Sequence, residues 1–276
     1  MRIVVLSDLH SNRAAMKAVL AAVDDLSPDA VVVAGDVINR GPHPRECLDE
    51  ILERRDRQGW HVIKGNHEDY VLMVDGQAAD ARPYMRDLLA HTRWTCERIR
   101  DRLPLLRDWP DQLVLHGPDG SELCFLHASR HGNRSGLYED MEEEVLADMV
   151  APAPAVTVVG HTHVPFVRRV GQALVVNAGA AGMPFDGDPR AAFALLEWEH
   201  ERWYARIIRT TYEVADAEQD FHTSGYLRDG GPMVPLILQE LQQSRPRLGM
   251  WHRTYEARVA SGEISLADSV AHLLAG

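Results

Sequence analysis

Short, unbroken apolar runs mark the start of the chain: IVVL at residues 3–6 and VVVA at 31–34. Runs of this length without polar alternation fit strands buried on both faces, as in a sheet covered by helices. Between them, NRAAMKAVLAAVDDL puts Ala15, Val19, Ala22, Val23 and Leu26 at helical spacing, which predicts a β-α-β unit. After GDVINRGP a helix is expected from about Pro44 to Asp56. WHVIKGNHE then predicts a third strand ending in a loop. Residues 68–107 are expected to be helical, with Leu88, Leu89, Trp94, Ile99 and Leu103 as apolar positions and Pro83 and Pro104 as punctuation.

The second half changes rhythm. QLVLHGPDGSELCFLH predicts two strands joined by a Gly-Pro-Asp-Gly turn. A helix is expected over Leu137–Val150, and APAPA leads from it to a strand at Val156–Val159. FVRRVGQALVVN and AAFALLEWEHERWYARIIR predict two further strand–turn–strand units. Residues 213–276 return to helix, and Ser265 followed by Asp268 marks a capped start for the last one. These elements predict an α/β protein, a β-sandwich flanked by helices. The expected division is a domain over residues 1–210 with a helical insert at 68–107, followed by a helical C-terminal extension at 211–276. The insert is a candidate cap and the extension a candidate lid or interface, with ordinary packing against the core as the alternative for both.

Composition narrows the function. The 276 residues are 45% hydrophobic and 25% charged, ordinary for a soluble globular enzyme. Lys and Arg number 29 against 41 Asp and Glu, a net charge of -12. An acidic surface repels phosphates, which argues against general nucleic-acid binding. A phosphate-bearing substrate would need local positive charge, and metal ions are one source. Cys47, Cys96 and Cys124 form no CxxC pair, so buried thiols in a reducing compartment are expected. IVVL is too short for a signal peptide, and no stretch is long and apolar enough for a membrane span. A cytoplasmic protein without membrane contact is expected.

The polar residues at predicted strand ends carry the chemistry. Asp8 and His10 follow the first strand, Asp36 the second, Asn66 and His67 the third. His127 ends ELCFL, and His161 and His163 end VTVV. Ligands in α/β sheets sit beyond the carboxyl ends of the strands. Alone, each residue has a plainer reading as a helix cap, a turn former or a hydrogen-bonded core histidine. Together they form a set of oxygen and nitrogen donors. Gly35, Gly65 and Gly160 stand just before members of that set and allow sharp turns and close approach. Carboxylate, imidazole and amide donors without thiolate suit Mn²⁺, Fe²⁺ or Zn²⁺. Seven candidate ligands, Asp8, His10, Asp36, Asn66, His127, His161 and His163, are too many for one ion and suit two divalent ions sharing a bridging carboxylate. Such a pair clamps the oxygens of a displacement at phosphorus.

The motifs D-x-H (Asp8, His10), G-D-x-x-x-R (Gly35, Asp36, Arg40), G-N-H-E (Gly65 to Glu68), the strand-ending His127 and G-H-T-H (Gly160 to His163) occur in that order. Over residues 1 to about 200 the chain thereby resembles the calcineurin-like metallophosphoesterases. The resemblance implies a four-layer α/β/β/α sandwich with a dinuclear site. It implies that Asp8, His10, Asp36 and His163 hold one metal and that Asp36, Asn66, His127 and His161 hold the other, with Asp36 as the bridge. It places His67 outside the metal shell, facing the substrate, to stabilise the transition state or protonate the leaving group. Arg40 would bind a phosphate oxygen through its guanidinium fork. Where Asn39 stands, family members often have Asp, which in the phosphoprotein phosphatases pairs with the catalytic histidine. Asn39 can hydrogen-bond but carries no charge, which bears on the basicity of His67.

GDVINRGP and GNHE resemble the phosphoprotein phosphatases and dinucleoside tetraphosphate hydrolases, and Leu103-Pro104-Leu105 weakly resembles a segment of the phosphatase-like members. GHTHVP and VNAGAAGMPFDGDPRAAFALLE are more similar to small bacterial phosphodiesterases. The implied activity is hydrolysis of a phosphoester or phosphoanhydride in a small phosphate-containing substrate, a phosphodiester or a nucleotide such as a dinucleoside polyphosphate. A phosphoprotein phosphatase and a non-catalytic metal-binding scaffold are the alternatives. Of the remaining candidates, His131 and Arg134 could meet a second phosphate or a base. Asn177 and the loop Asp186-Gly187-Asp188 could border the site. Trp94 is expected in the core rather than as a stacking platform.

Overall fold

The computed structural model describes residues 1–76 and 83–275. The leading apolar run forms β1 (Arg2–Leu6), followed by α1 (Arg13–Leu26), β2 (Ala30–Ala34), α2 (Pro44–Gln58) and β3 (His61–Ile63). Asn12 caps α1 by accepting the Ala15 N–H at 3.1 Å. Pro44 opens α2, and Gly59 closes it at a positive φ of 71°. β1, β2 and β3 are parallel neighbours.

The insert consists of α3 (Asn66–Asp75), α4 (Pro83–Leu88), α5 (Ala90–Arg98), a 3-10 turn (Arg100–Arg102) and α6 (Leu103–Arg107). Residues 77–82 of the predicted helical stretch lie outside the described residues. The third strand was expected to run into a loop, but α3 begins at Asn66. The cause is Glu68, whose carboxylate accepts the Gly65 N–H at 2.8 Å and so satisfies one of the donors that a helix start leaves open.

The second half continues with β4 (Gln112–His116), β5 (Glu122–Leu126), α7 (Glu143–Val150), β6 (Val156–Val159), β7 (Phe166–Val170), β8 (Ala173–Asn177), β9 (Ala191–Glu199) and β10 (Arg202–Thr210). The helix expected from Leu137 starts only at Glu143. Arg168 on β7 donates to the carbonyls of Glu139 (2.9 Å) and Met141 (2.5 Å), engaging acceptors that a helix there would need.

Two five-stranded sheets result, ordered β10-β9-β1-β2-β3 and β4-β5-β6-β8-β7. The last hairpin therefore returns to flank the first strand, with β9 antiparallel to β1. Strand alternation builds the layers. Ile3, Val5, Val32 and Ala34 meet Leu123, Phe125, Val156 and Val158 between the sheets. Val4, Leu6, Val31 and Val33 face outward onto α1 and α2. Cys124, Leu126 and Val159 face outward onto Leu146, Met149 and Val150 of α7. This is the four-layer α/β/β/α sandwich. It explains why the strands read as continuous apolar runs, since both faces of each are covered.

The chain ends in α8 (Val214–Thr223), α9 (Tyr226–Asp229), α10 (Val234–Gln243), α11 (Arg247–Ala260) and α12 (Leu266–Ala275). Ser265 caps α12, accepting the Asp268 N–H at 3.0 Å. Phe221, Tyr226, Ile237 and Trp251 of these helices share a core with Leu88 and Trp94 of the insert. The extension thus packs on the insert, at the end of the sandwich where the parallel strands terminate. All three cysteines are buried free thiols. Among the described residues no helix is long and apolar enough to cross a membrane.

Candidate metal centre

Asp8 and His10 follow β1, Asp36 follows β2, and Asn66 and His67 form the first turn of α3 beyond β3. His127 follows β5, and His161 and His163 follow β6. The strand ends of both sheets converge. His163 Nε2 lies 3.2 Å from Asp8 Oδ1 and 3.1 Å from His10 Nε2. His127 Nε2 lies 3.3 Å from Asp36 Oδ2 and 2.9 Å from Asn66 Oδ1, and His161 Nδ1 lies 2.8 Å from the same amide oxygen. His10 Nε2 is 3.7 Å from Asp36 Oδ2, which places that oxygen between the two groups.

The backbone pays a conformational cost for this convergence. Asp8, His10, Asp36, His161 and His163 all have φ between +48° and +68°, a region that costs a non-glycine residue about 1–3 kcal/mol and clusters at functional sites. Glycine makes room beside them. A Cβ on Gly65 would stand 2.1 Å from Asp36 Oδ1, and one on Gly160 would stand 2.0 Å from Ser7 Oγ and 2.5 Å from Asp8 Oδ2.

Four of the donors have one polar atom anchored outward and another aimed inward. Asp36 Oδ1 accepts the His67 N–H (2.8 Å), leaving Oδ2 for the centre. Asp8 Oδ2 accepts the His161 N–H (2.9 Å), and Oδ1 has no hydrogen-bond partner. His127 Nδ1 donates to the Ala34 carbonyl (2.8 Å) and His163 Nδ1 to that of Met183 (2.5 Å). In their neutral forms both histidines therefore turn an Nε2 lone pair toward oxygen lone pairs, an arrangement that a cation stabilises.

The charges point the same way. Burial alone would raise the Asp36 carboxyl, but the facing His127 outweighs it and holds it well below the carboxylate range. Burial likewise opposes Asp8, which His163 and His10 keep low. Burial would lower His127, yet Asp36 facing it pushes it up to about 10, so a proton on Nε2 takes the place of a cation. Burial, reinforced by His127, lowers His161 to about 4. The donors fit divalent ions, and ligand atoms of Asp8, His10 and His163, and of Asp8, Asp36 and His127, come within 4.8 Å of one another. Ligand atoms of His10, Asp36 and His67 also come within 4.8 Å of one another, so His67 borders the shell.

His67 has an unusual partner. Asn39 Oδ1 accepts the Arg40 N–H at 3.0 Å, which turns its amide nitrogen toward Thr92 Oγ1 (3.1 Å) and His67 Nδ1 (3.0 Å). His67 Nδ1 is thereby an acceptor, and its proton sits on Nε2. Burial lowers the His67 pKa well below its ordinary value against the pull of Asp36, consistent with a neutral imidazole. Arg40 lines the pocket above the cluster. Its Nη1 lies 3.3 Å from Glu240 of α10, whose side chain is fully buried.

Several further side chains organise the site. Glu68 accepts from the N–H groups of Asp36 and Val37 (2.9 Å each) and of Ile38 (3.3 Å), besides Gly65, and so ties the β2 turn to α3. Phe185 stacks on His163 at 4.2 Å. Glu240 had a signal: it is an acid on the buried stripe of α10, beside Leu236, Ile237 and Leu241. Asn177 holds the GHTH loop, donating to Gly160 O (2.9 Å) and Thr162 Oγ1 (2.8 Å). Asp186 and Asp188 pair with Arg209 and Arg190 instead of joining the cluster. His131 pairs with Asp148 at 3.4 Å. Arg134 reaches the pocket, stacked over Tyr70 at 4.5 Å. Trp94 is buried beneath Arg98, in the core as expected.

A four-layer sandwich with oxygen and nitrogen donors gathered at its strand ends defines the metallophosphoesterase class. The chain belongs to the calcineurin-like phosphoesterase superfamily, whose domain model matches residues 1–201. It is 25% identical over 232 residues to an uncharacterized protein of Methanocaldococcus jannaschii, covering 78% of this chain and 89% of that protein. The crystal structure of a metallophosphoesterase from Sphaerobacter thermophilus matches with a TM-score of 0.66 at 25% identity, covering 88% of this chain and all (100%) of that one. A hypothetical protein from Pyrococcus horikoshii shares the fold, with a TM-score of 0.72 at 18% identity over 84% of this chain and 97% of its own. Family members bind divalent metals, and the ligand clusters described above are the candidates for that role here.

Proposed function

We propose that this protein hydrolyses a phosphoester or phosphoanhydride bond in a small substrate with the help of two divalent ions bound at the strand ends. One observation carries the reading: two buried carboxylates, Asp8 and Asp36, each direct an oxygen at a tautomer-fixed imidazole, beneath a pocket that His67 and Arg40 line. The donor mix suits Mn²⁺, Fe²⁺ or Zn²⁺. Bound ions of this kind supply Lewis acidity and lower the pKa of a coordinated water. The chain's own groups do the rest. Arg40 presents its guanidinium to a phosphate oxygen, and the His67 Nε2–H donates to the substrate at the reacting centre.

Within this class a phosphodiester and a dinucleoside polyphosphate are both in view. A pocket walled by the insert and the C-terminal helices favours either over a phosphoprotein surface. The full ligand set, with His67 in place, supports catalysis over a non-catalytic scaffold. Three buried free thiols fit placement in the cytoplasm.

The test is hydrolysis of bis-p-nitrophenyl phosphate by the Mn²⁺-reconstituted protein. Asp36→Asn should abolish turnover. His67→Ala should lower kcat by about 100-fold or more with metal content retained. Unchanged turnover in His67→Ala removes that residue from the reaction. Failure to hydrolyse any monoester, diester or dinucleoside polyphosphate refutes the reading.

A further inference from the structure

The pocket above the ligand cluster encloses about 480 Å³, within the range of small-ligand sites. Its floor is polar, with Asp36, Asn66, His67, His161 and His163. Its walls are not. Met73, Met85, Leu88 and Leu89 come from the insert, and Met233 and Leu248 from the C-terminal helices. The guanidinium groups in the lining are those of Arg40 and Arg134. The first is paired with buried Glu240 at 3.3 Å. The second lies over the Tyr70 ring. Glu256 adds a carboxylate to the same lining.

A polyphosphate chain carries charge on every phosphorus. Past the first phosphate it would set most of its anionic oxygens against thioether and hydrocarbon walls, with Arg134 the one further guanidinium in the lining, and so lose water for few partners. An uncharged apolar group entering the same walls loses little hydration and gains contacts with the methionines, whose flexible side chains adapt to varied shapes. We infer that the pocket takes an ester with a single phosphorus centre and an uncharged aromatic or other apolar organic group seated between the insert and the C-terminal helices. The inference rests on the hydrolase reading above and narrows its substrate.

Two measurements on the full-length, Mn²⁺-loaded protein test it. In calorimetric binding, phenylphosphonate should bind at least about 10-fold tighter than methylphosphonate. Met73 and Met85 are partly exposed, so Met73→Asp and Met85→Asp should fold, as a thermal melt will check, and should cut that preference to about twofold. In kinetics with Mn²⁺ in excess, KM for diadenosine tetraphosphate should exceed that for bis-p-nitrophenyl phosphate by at least about 10-fold. Equal phosphonate affinities, or an equal or lower KM for the tetraphosphate, overturn the inference and leave the hydrolase reading standing. A retained phenyl preference without turnover of any ester supports the pocket and sinks the hydrolase reading.

Discussion

Glu240→Gln removes the buried carboxylate facing Arg40 while keeping the side chain's size and an oxygen for the Leu248 N–H, which Glu240 accepts at 2.8 Å. The pair stands 3.3 Å apart, with Glu240 fully buried and 13% of the Arg40 side chain exposed. At an effective dielectric of about 20, two unit charges at that separation attract by about 5 kcal/mol. Burial takes part of this back, since it raises the Glu240 carboxyl despite Arg40. Removing one partner of a buried pair costs about 3–5 kcal/mol, and the partial access of Arg40 to water brings the expectation to about 2–3 kcal/mol. Urea unfolding of the metal-free protein, run as a double-mutant cycle with Arg40→Met, gives the number. The cycle should return a coupling of about 1.5 kcal/mol or more. A loss below about 0.5 kcal/mol in Glu240→Gln, within the range of an ordinary surface change, or a cycle without coupling, would refute the reading of Arg40 and Glu240 as a coupled buried pair.

Two further outcomes are expected. Burial, with Arg40 nearby, lowers His91 from 6.5 to about 3. Above pH 6.5 both folded and unfolded chains carry it neutral. As the pH falls toward 3, the unfolded chain binds the proton and the folded one does not, so stability drops by about 1.4 kcal/mol per pH unit. At pH 5, His91→Phe should therefore have lost about 2 kcal/mol less than the parent, relative to pH 7. Chemical denaturation in chelator at the two pH values reads this directly, and parallel losses would show that His91 is not the group titrating. Asn39→Asp should turn the His67 proton from Nε2 to Nδ1 and raise the imidazole pKa by about 1–3 units. Nitrogen-15 NMR of the ring reports both changes, and an unmoved tautomer would contradict the hydrogen-bond assignment at Asn39.

Much of the fold was legible because strands covered on both faces must be apolar throughout. IVVL, VVVA and VTVV therefore stood out as β1, β2 and β6. The segment around Leu137 misled for a physical reason. Leu137 and Met141 stand four residues apart and join the α7 core, as one helix face would, but Arg168, from a strand that follows in sequence, captures the carbonyls at Glu139 and Met141. Which sheet each hairpin joins depends on long-range pairing that short periodicity does not encode; β9 returning to β1 is such a case.

At the site, the donor types and their places at strand ends could be read from the sequence. Their left-handed backbone could not: Asp and His enter that region more often than most residues, but that preference does not single out Asp8, His10, His161 and His163 among the chain's other Asp and His. The Asn39 departure from the family pattern was visible, but its effect on the His67 proton needed the Arg40 N–H that orients the amide. Glu240 was visible only as an acid among apolar neighbours, with no sign that its partner lay 200 residues away at Arg40.

The central claim is that side chains from five strand ends hold a pair of cations. Metal content of the purified protein after equilibration with Mn²⁺, measured by plasma mass spectrometry alongside binding calorimetry, tests it most directly. The account predicts two ions per chain at saturation, falling to one in His127→Ala. Saturation at a single ion in the parent, or an unchanged count in that variant, contradicts it.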